Sequence, residues 1–490
     1  MLTEELQELV TRILEHRCEM QNIELKKAAG GTPEKLYDTL SSFSNQTGGG
    51  ILVFGIDEKH DFAVSGVYDA QDLQVKVTEA ALQMEPVVRP VFTVAKYREK
   101  TVVSAEIAEC DISQKPCYYK GAGKLRGSYV RVGEADLPMT EYEIYSYEAY
   151  KKKIRDELRT PERATLADFS KNALEEYFVR LKKEKPQLSQ MEEGRILRLQ
   201  GMTDGERPTV AGLLILCDYP QAFFPQLGVT AMVVDGTEIG VVGEGGERFI
   251  DNQRIEGNLP TMLEETMRFV RRNIRHSTVI DPNGERADRP EYPLVAVREI
   301  ILNALIHRDY SAYSEDSPIR VILYRDRMEV ENPGGLYGRL TIADLGKAPA
   351  DTRNPFLAGS LEVLMNTENR FSGIPTVYAA MEAAGLRPPV FESRRGNFRV
   401  TLYRAAEKTP EEKKTDLSPI EEKILAFCTE PKSKEEVAEM LGISSAYYVR
   451  TKYLTALVES DRLRLTMPEK PRSRYQKFYT PKKLDSTRRA

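Results

Sequence analysis

The chain has 490 residues, with 70 Lys and Arg against 75 Asp and Glu, a net charge of −5. At roughly 150 residues per domain, this length argues for about three domains. Hydrophobic residues make up 41% and charged residues 30%, which excludes a chain that is disordered throughout; the acidic total excludes a uniformly basic coat for nucleic acid. The start, Met1-Leu2-Thr3-Glu4-Glu5, lacks the basic stretch and apolar core of a secretory signal. The longest apolar run, Val210 to Cys217, is far short of the roughly 20 residues of a membrane span. Five scattered cysteines with no CxxC pair, and four histidines at no zinc spacing, fit reduced thiols and a cytoplasmic location.

In chain order, Glu4 to Cys18 reads as a helix with Leu6, Val10, Ile13 and Leu14 on one stripe. Asn22 to Lys26 alternates as a strand with Ile23 and Leu25 inward. A helix is expected from Pro33 to Asn45. Gly48-Gly49-Gly50 ends it and leads into a buried strand from Ile51 to Ile56. Strands are expected over 91–97, 101–107 and 129–132, and a charged connector helix over 142–158. The next block, 154–280, mixes helices over 172–182 and 259–274 with strands around 212–217 and 229–234. A third block covers 281–405, a charged linker 406–416, and a helical unit with a basic tail 417–490.

Two constellations carry chemistry. Glu19, Glu24 and Asp57, with Lys26 on the polar face shared by Glu24, would converge on one Mg²⁺ or Mn²⁺ if strand 22–26 pairs beside 51–56; such a set can serve phosphodiester cleavage. The alternative is a solvated polar strand face. In the third block, Glu299, Asn303 and His307 stand at i, i+4 and i+8, on one face of an otherwise apolar helix. An Asn carbonyl can hold Mg²⁺ and a Glu can orient water; an ordinary amphipathic helix is the plainer alternative.

In the last block, Lys434–Leu441, the turn Gly442-Ile443-Ser444 and the helix 446–459 have helix-turn-helix spacing, with Ser444 as N-cap. Tyr448, Arg450, Thr451 and Lys452 face outward, and 463–465 and 477–479 read as wing strands. From Lys470 to Ala490, Arg472 and Arg474 among them, eight cations face one anion, a local charge of +7 inside an acidic chain.

Glu24-Leu25-Lys26 with Leu40 through Asp57, and Tyr129-Val130-Arg131-Val132-Gly133, resemble the Schlafen AlbA_2 domain across about residues 10–150. In animal Schlafens two Glu and one Asp form a ribonuclease site, and the resemblance maps them onto Glu19, Glu24 and Asp57. Val297 to Tyr310 resembles the N-box of GHKL ATPases, in the variant found in RecG-like proteins with an AlbA_2 domain. Glu329-Val330-Glu331-Asn332-Pro333-Gly334-Gly335-Leu336 stands at the first glycine box and Phe371-Ser372-Gly373-Ile374-Pro375 at the second. Two departures stand out: Asn332 replaces the Asp that accepts the adenine amino group, and the second box keeps only Gly373.

The reading is an α+β multidomain chain: an AlbA_2-like α/β domain (1–153), a linking α/β segment (154–280) that forms part of the GHKL-like unit, a GHKL-like α/β sandwich (281–405), and a C-terminal winged helix-turn-helix with a basic tail (417–490). The function expected is a cytoplasmic DNA-binding transcriptional regulator with a degenerate nucleotide module. ATP and Mg²⁺ are its cofactors, and duplex DNA, a nucleotide effector and a second copy its partners. The alternative is a Schlafen-type Mn²⁺- or Mg²⁺-dependent nuclease acting on tRNA or single-stranded DNA in phage defence.

Overall fold

The computed structural model describes residues 1–18, 22–240, 248–280, 286–348, 351–365, 373–394, 396–405, 419–443, 445–459, 462–467, 473 and 476–481. Two compact units divide the chain, 1–405 and 406–490. Among the described residues, no helix is long and apolar enough to cross a membrane.

The first unit holds two main sheets. The first has the strand order Ile23–Lys26, Gly50–Phe54, Lys100–Ile107, Val91–Tyr97, and only the first pair is parallel. Alternation sends Leu52 and Phe54 to one face and Val53 to the other. On one side, helix Thr3–His16 buries Leu6, Leu9, Val10 and Ile13 against Ile23, Leu25 and Val53. On the other, helices Tyr37–Asn45 and Ala70–Leu82 bury Leu40, Phe43, Leu73 and Val77 against Leu52 and Phe54.

The glycine run is used for close approach. Gly49 has φ +71, and a Cβ there would lie 2.1 Å from the Ile107 carbonyl oxygen, so no side chain fits. Asn45, at the end of its helix, is a clamp. Its Nδ2 donates to the carbonyls of Cys117 (2.9 Å) and Tyr129 (3.1 Å), and its Oδ1 accepts from the Cys117 amide (2.7 Å). The Asn-x-x-Gly-Gly-Gly run therefore ties helix, sheet and the 117–129 loop together.

The second sheet has six strands in the order Asp251–Ile255, Val229–Val233, Ile319–Leu323, Arg327–Pro333, Asn397–Tyr403, Val390–Arg394. Val229–Val233 runs parallel to Ile319–Leu323, so residues on both sides of position 280 build one layer. One face carries Val229, Val321, Val330 and Leu402 into a core shared with helices Leu259–Asn273, Leu294–His307 and Pro355–Met365. The opposite face bears a charged lattice in which Arg327 pairs with Glu329 (2.6 Å), and Arg320 and Arg399 pair with Glu331.

Several expected elements shift. The run expected as a strand at 212–217 is the helix Val210–Leu216, capped by the Thr209 hydroxyl, which accepts from the Gly212 amide at 3.0 Å. Every residue of it is buried, so no polar face exists to reveal a helical period. The helix expected from Pro33 begins at Tyr37. The connector helix expected over 142–158 is Glu141–Lys152, stopped by Lys153 in the left-handed region at φ 56 and followed by a short turn at Asp156–Leu158.

The second unit contains helices Pro419–Phe427 and Lys434–Met440, then one helical segment from Ala446 to Glu459 whose middle, Arg450–Leu454, is wound as a π-helix. Lys432–Ser433, Lys477–Tyr479 and Arg464–Leu465 form a three-stranded sheet in that order. The N-cap is Ser445, whose hydroxyl accepts from the Tyr448 amide at 3.2 Å; Ser444 lies outside the described residues.

Candidate functional site

Helix Leu294–His307 forms because apolar residues cover most of its surface, and Ala296, Val297, Ile300, Ile301, Leu305 and Ile306 are buried. Its C-terminal carbonyls lack intrahelical partners. Asn354 supplies them: Nδ2 donates to the carbonyls of Ile306 (2.8 Å) and Arg308 (2.7 Å). The chain then turns through Arg308, which is 2% exposed and donates to the carbonyls of Asp309, Ser314 and Ser317. Tyr310 hydroxyl donates back to the Leu305 carbonyl at 2.7 Å. The His-Arg-Asp-Tyr stretch is thus largely a scaffold that fixes the helix end.

That end forms one wall of a cavity of about 400 Å³. Asn303 and His307 line it from the helix, and Asn332, Gly334 and Gly335 from the end of strand Arg327–Pro333. Gly373, first residue of helix Gly373–Ala383, lines it from another side. A Cβ on Gly373 would stand 3.1 Å from Glu299 Oε2 and 3.4 Å from Asn303 Nδ2, so the glycine lets a helix N-terminus come close to this polar pair. Six of the seven residues of the third block singled out from the sequence therefore line one space, and Glu299 stands beside it at Gly373.

Electrostatics give these residues distinct states. Burial, partly offset by Arg298 3.7 Å away, pushes the Glu299 carboxyl up. Burial, with Arg353 adding to it, pushes His307 down to about 4, so its imidazole is neutral at pH 7. Asn332 is 4% exposed and its Oδ1 meets no hydrogen-bond partner among the described residues. A buried orphan acceptor is costly, and in a cavity wall it is satisfied once a donor enters. Gly334 has φ +105, and a Cβ there would lie 3.2 Å from Arg353 Nη1.

Beside the cavity lies a buried ion pair that spacing did not reveal. Arg353 Nη1 stands 2.5 Å from Asp309 Oδ2, with side chains 9% and 2% exposed. Tyr142, from the connector helix, donates to the same oxygen at 2.7 Å. Burial alone would raise the Asp309 carboxyl, but Arg353, Tyr142 and Ser311 outweigh it and hold it below the usual range. Arg353 Nη2 also donates to the Gly335 carbonyl at 3.3 Å, which links the pair to the cavity.

The carboxylates of the first domain are arranged differently. Glu24 is paired with Lys26 and, through Oε2 at 2.8 Å, with Arg131. Asp57 is paired with Lys27 (2.8 Å) and His60 (2.9 Å), and its carboxyl is lowered by Lys27 first and by His60. Each carboxylate is thus neutralised by its own cations. Among the described residues no group of three His, Cys, Asp or Glu could hold a metal. Glu19, the third carboxylate of the set expected with Glu24 and Asp57, lies outside the described residues, so what is described of that set is the ion pairs of Glu24, Lys26 and Asp57.

In the second unit, Tyr448 is 45% exposed and Lys452 Nζ donates to its hydroxyl at 2.6 Å while lying 5.5 Å from the Tyr453 ring centre. Arg450 is half-buried; the side chain of Thr451 and all of Arg472 and Arg474 lie outside the described residues.

Three family models match. Residues 19–140 match "Schlafen, AlbA_2". Residues 316–402 match "Putative ATP-dependent DNA helicase recG C-terminal". Residues 420–479 match "Filamentation induced by cAMP protein Fic-like, C-terminal domain". Among solved structures, the DIP2311 protein from Corynebacterium diphtheriae is 21% identical, covering 94% of this chain and 93% of its own, with a TM-score of 0.40. The N-terminal domain of a RecG-related protein from Nitrosomonas europaea is 24% identical, covering 27% of this chain and 92% of its own, with a TM-score of 0.23. No curated protein matches.

Proposed function

We propose that the chain is a nucleotide-responsive, DNA-binding regulator whose cavity at the end of helix Leu294–His307 takes an ATP-class ligand with Mg²⁺. The observation that carries this is the cavity itself: an unsatisfied acceptor, Asn332 Oδ1, and an Asn–Glu pair stand about one space beneath a helix N-terminus. The parts have separable roles. Asn332 Oδ1 accepts from an exocyclic amino group, more weakly than a carboxylate would. The amide of Gly335 and the start of helix Gly373–Ala383 suit anionic oxygens, while the Gly334 amide donates to the Gly396 carbonyl at 2.6 Å and holds the loop in place. Asn303 offers a hard oxygen donor for Mg²⁺, and Glu299 could accept a proton from a water. Mg²⁺ would supply charge neutralisation on the phosphates. Arg353 and neutral His307 shape the wall. The matches to AlbA_2 and RecG-type families support association with nucleic acid and an ATPase-type module.

The second unit supports the DNA half of the reading. A helix, a turn at Gly442 and a second helix, followed by a small sheet, have the order of a winged helix. Tyr448, Arg450, Thr451 and Lys452 would face the groove, while Arg472 and Arg474 belong to the basic tail that meets phosphate. A homodimer would match two operator half-sites.

Calorimetry tests the cavity. Mg-ATP is expected to give a saturable signal that Asn303→Ala weakens at least about tenfold, the loss of one charge-assisted contact of about 1.4 kcal/mol or more. A flat titration with the unaltered chain sinks the nucleotide reading.

A further inference from the structure

Helix Glu141–Lys152 has two working faces. At about 100° per residue, Tyr142, Tyr145 and Ala149 share one side, and Tyr147 and Glu148 point away from it. The second side holds the first domain. Glu148 pairs with Lys124, and Lys115 Nζ lies 6.0 Å from the Tyr147 ring centre. Lys115, only 6% exposed, is itself fixed by Glu109 at 2.6 Å.

The first side holds the cavity wall. Tyr142 reaches Asp309 and, through it, Arg353 and the Gly335 carbonyl. A Cβ on Gly396 would come within 2.4 Å of the Tyr142 ring, so the ring is packed directly on the backbone that follows the sheet edge. Tyr150, at the end of the helix, donates to Asp351 at 3.1 Å and sits edge-on to Tyr337 at 5.3 Å. Past the helix, Arg155 donates to the carbonyls of Thr352 (3.2 Å) and Arg353 (3.1 Å). Glu157 accepts from the amides of Phe356 (3.1 Å) and Leu357 (2.8 Å), at the start of helix Pro355–Met365. Gly335, Tyr337, Asp351 and Thr352 all line the cavity. One short stretch of chain thus braces much of one wall while its other face is pinned to the 115–124 region.

We infer that helix Glu141–Lys152 is a strut that couples occupancy of the cavity to the Lys115–Ser128 loop of the first domain. A ligand that draws Gly335 and 351–357 inward pulls on Tyr142, Tyr150 and Arg155 together, and the rigid helix carries the movement to Tyr147 and Glu148. By reciprocity, a partner that fixes the 115–128 loop tightens the cavity for its ligand. The inference rests on the nucleotide reading only for the choice of probe.

Hydrogen exchange on the full chain tests it, with and without Mg-ATP, and with Tyr142→Phe in the absence of nucleotide. Mg-ATP is expected to slow exchange about threefold or more in 334–337 and 351–357, and also in 115–128, leaving strands 23–26 and 50–54 unchanged. Protection confined to the cavity overturns the strut and leaves the nucleotide reading standing. If Mg-ATP protects nothing, the nucleotide reading falls and Tyr142→Phe decides the strut alone. Faster exchange reaching 115–128 while strands 23–26 and 50–54 hold supports it. A change confined to 309–357, or one spread evenly over the unit, overturns it.

Discussion

Replacing Arg353 with alanine is expected to destabilise the 1–405 unit by about 3–5 kcal/mol, the usual cost of stranding one partner of a buried ion pair. The expectation follows from where the charges sit. Asp309 is 2% exposed on its side chain, and its charge is held by Arg353 at 2.5 Å together with the Tyr142 hydroxyl at 2.7 Å. Without the guanidinium, the carboxylate keeps only neutral donors, and burial then drives its pKa up. Two further results follow. Asp309→Asn in the Arg353→Ala background should recover roughly half of the loss, because neither charge of the pair remains. The penalty of Arg353→Ala alone should shrink at acid pH, where the stranded carboxyl takes up a proton. Thermal unfolding of the two variants and the unaltered chain at pH 4.5 and 7.5 checks all of this. A loss under about 1 kcal/mol, the range of surface pairs, would mean that the pair is solvated.

The second large effect concerns Glu157. Its side chain has no exposure, and burial raises its carboxyl to about 7 despite the amides of Leu357 and Phe356, which pull the other way. The folded-state value is above the unfolded one. Between about pH 4.5 and 7 the fold therefore holds a proton that the unfolded chain has released, and stability falls as pH rises through that window, by up to about 3 kcal/mol. Glu157→Gln keeps an acceptor for one of the two amides and removes the titration. Its midpoint should rise relative to that of the unaltered chain between pH 4.5 and pH 8. His307 tilts the profile the opposite way: its folded value is lowered to about 4, so the fold loses stability as pH falls below about 6.5. Comparison of the two chains across pH isolates Glu157 from it. Equal slopes for both would show that the carboxyl is ionised in the fold throughout.

What could be read from the chain beforehand was whatever a short period or a fixed spacing encodes. Glu299, Asn303 and His307 fall on one helix face by arithmetic, and Asn332, Gly334 and Gly335 stand at the end of a strand in the order that the family resemblance implies; the fold brings all but Glu299 to line one cavity. Helix Ala70–Leu82 was not anticipated, although Asp69 caps it, because Leu73, Val77 and Ala81 make a narrow stripe beside exposed Val75 and Leu82. The Asp309–Arg353–Tyr142 cluster was invisible for a different reason. Its members are far apart in the chain and carry no pattern until the sheet brings them together. For Glu24, the pairing with Arg131 was not legible, because Arg131 comes from a strand whose placement spacing alone does not give.

The shared sheet has a consequence for how such a chain can be assembled over evolutionary time. Strand Val229–Val233 lies between Asp251–Ile255 and Ile319–Leu323, so the segment before position 280 completes the layer that carries the cavity. A recombination event near 280 would leave Ile319–Leu323 with a bare edge open to pairing with any other strand in the cell. The connector helix adds a second bond of the same kind further upstream. The first 405 residues are therefore expected to pass on as one piece, whereas the boundary between the two compact units, at 406, cuts neither of these sheets.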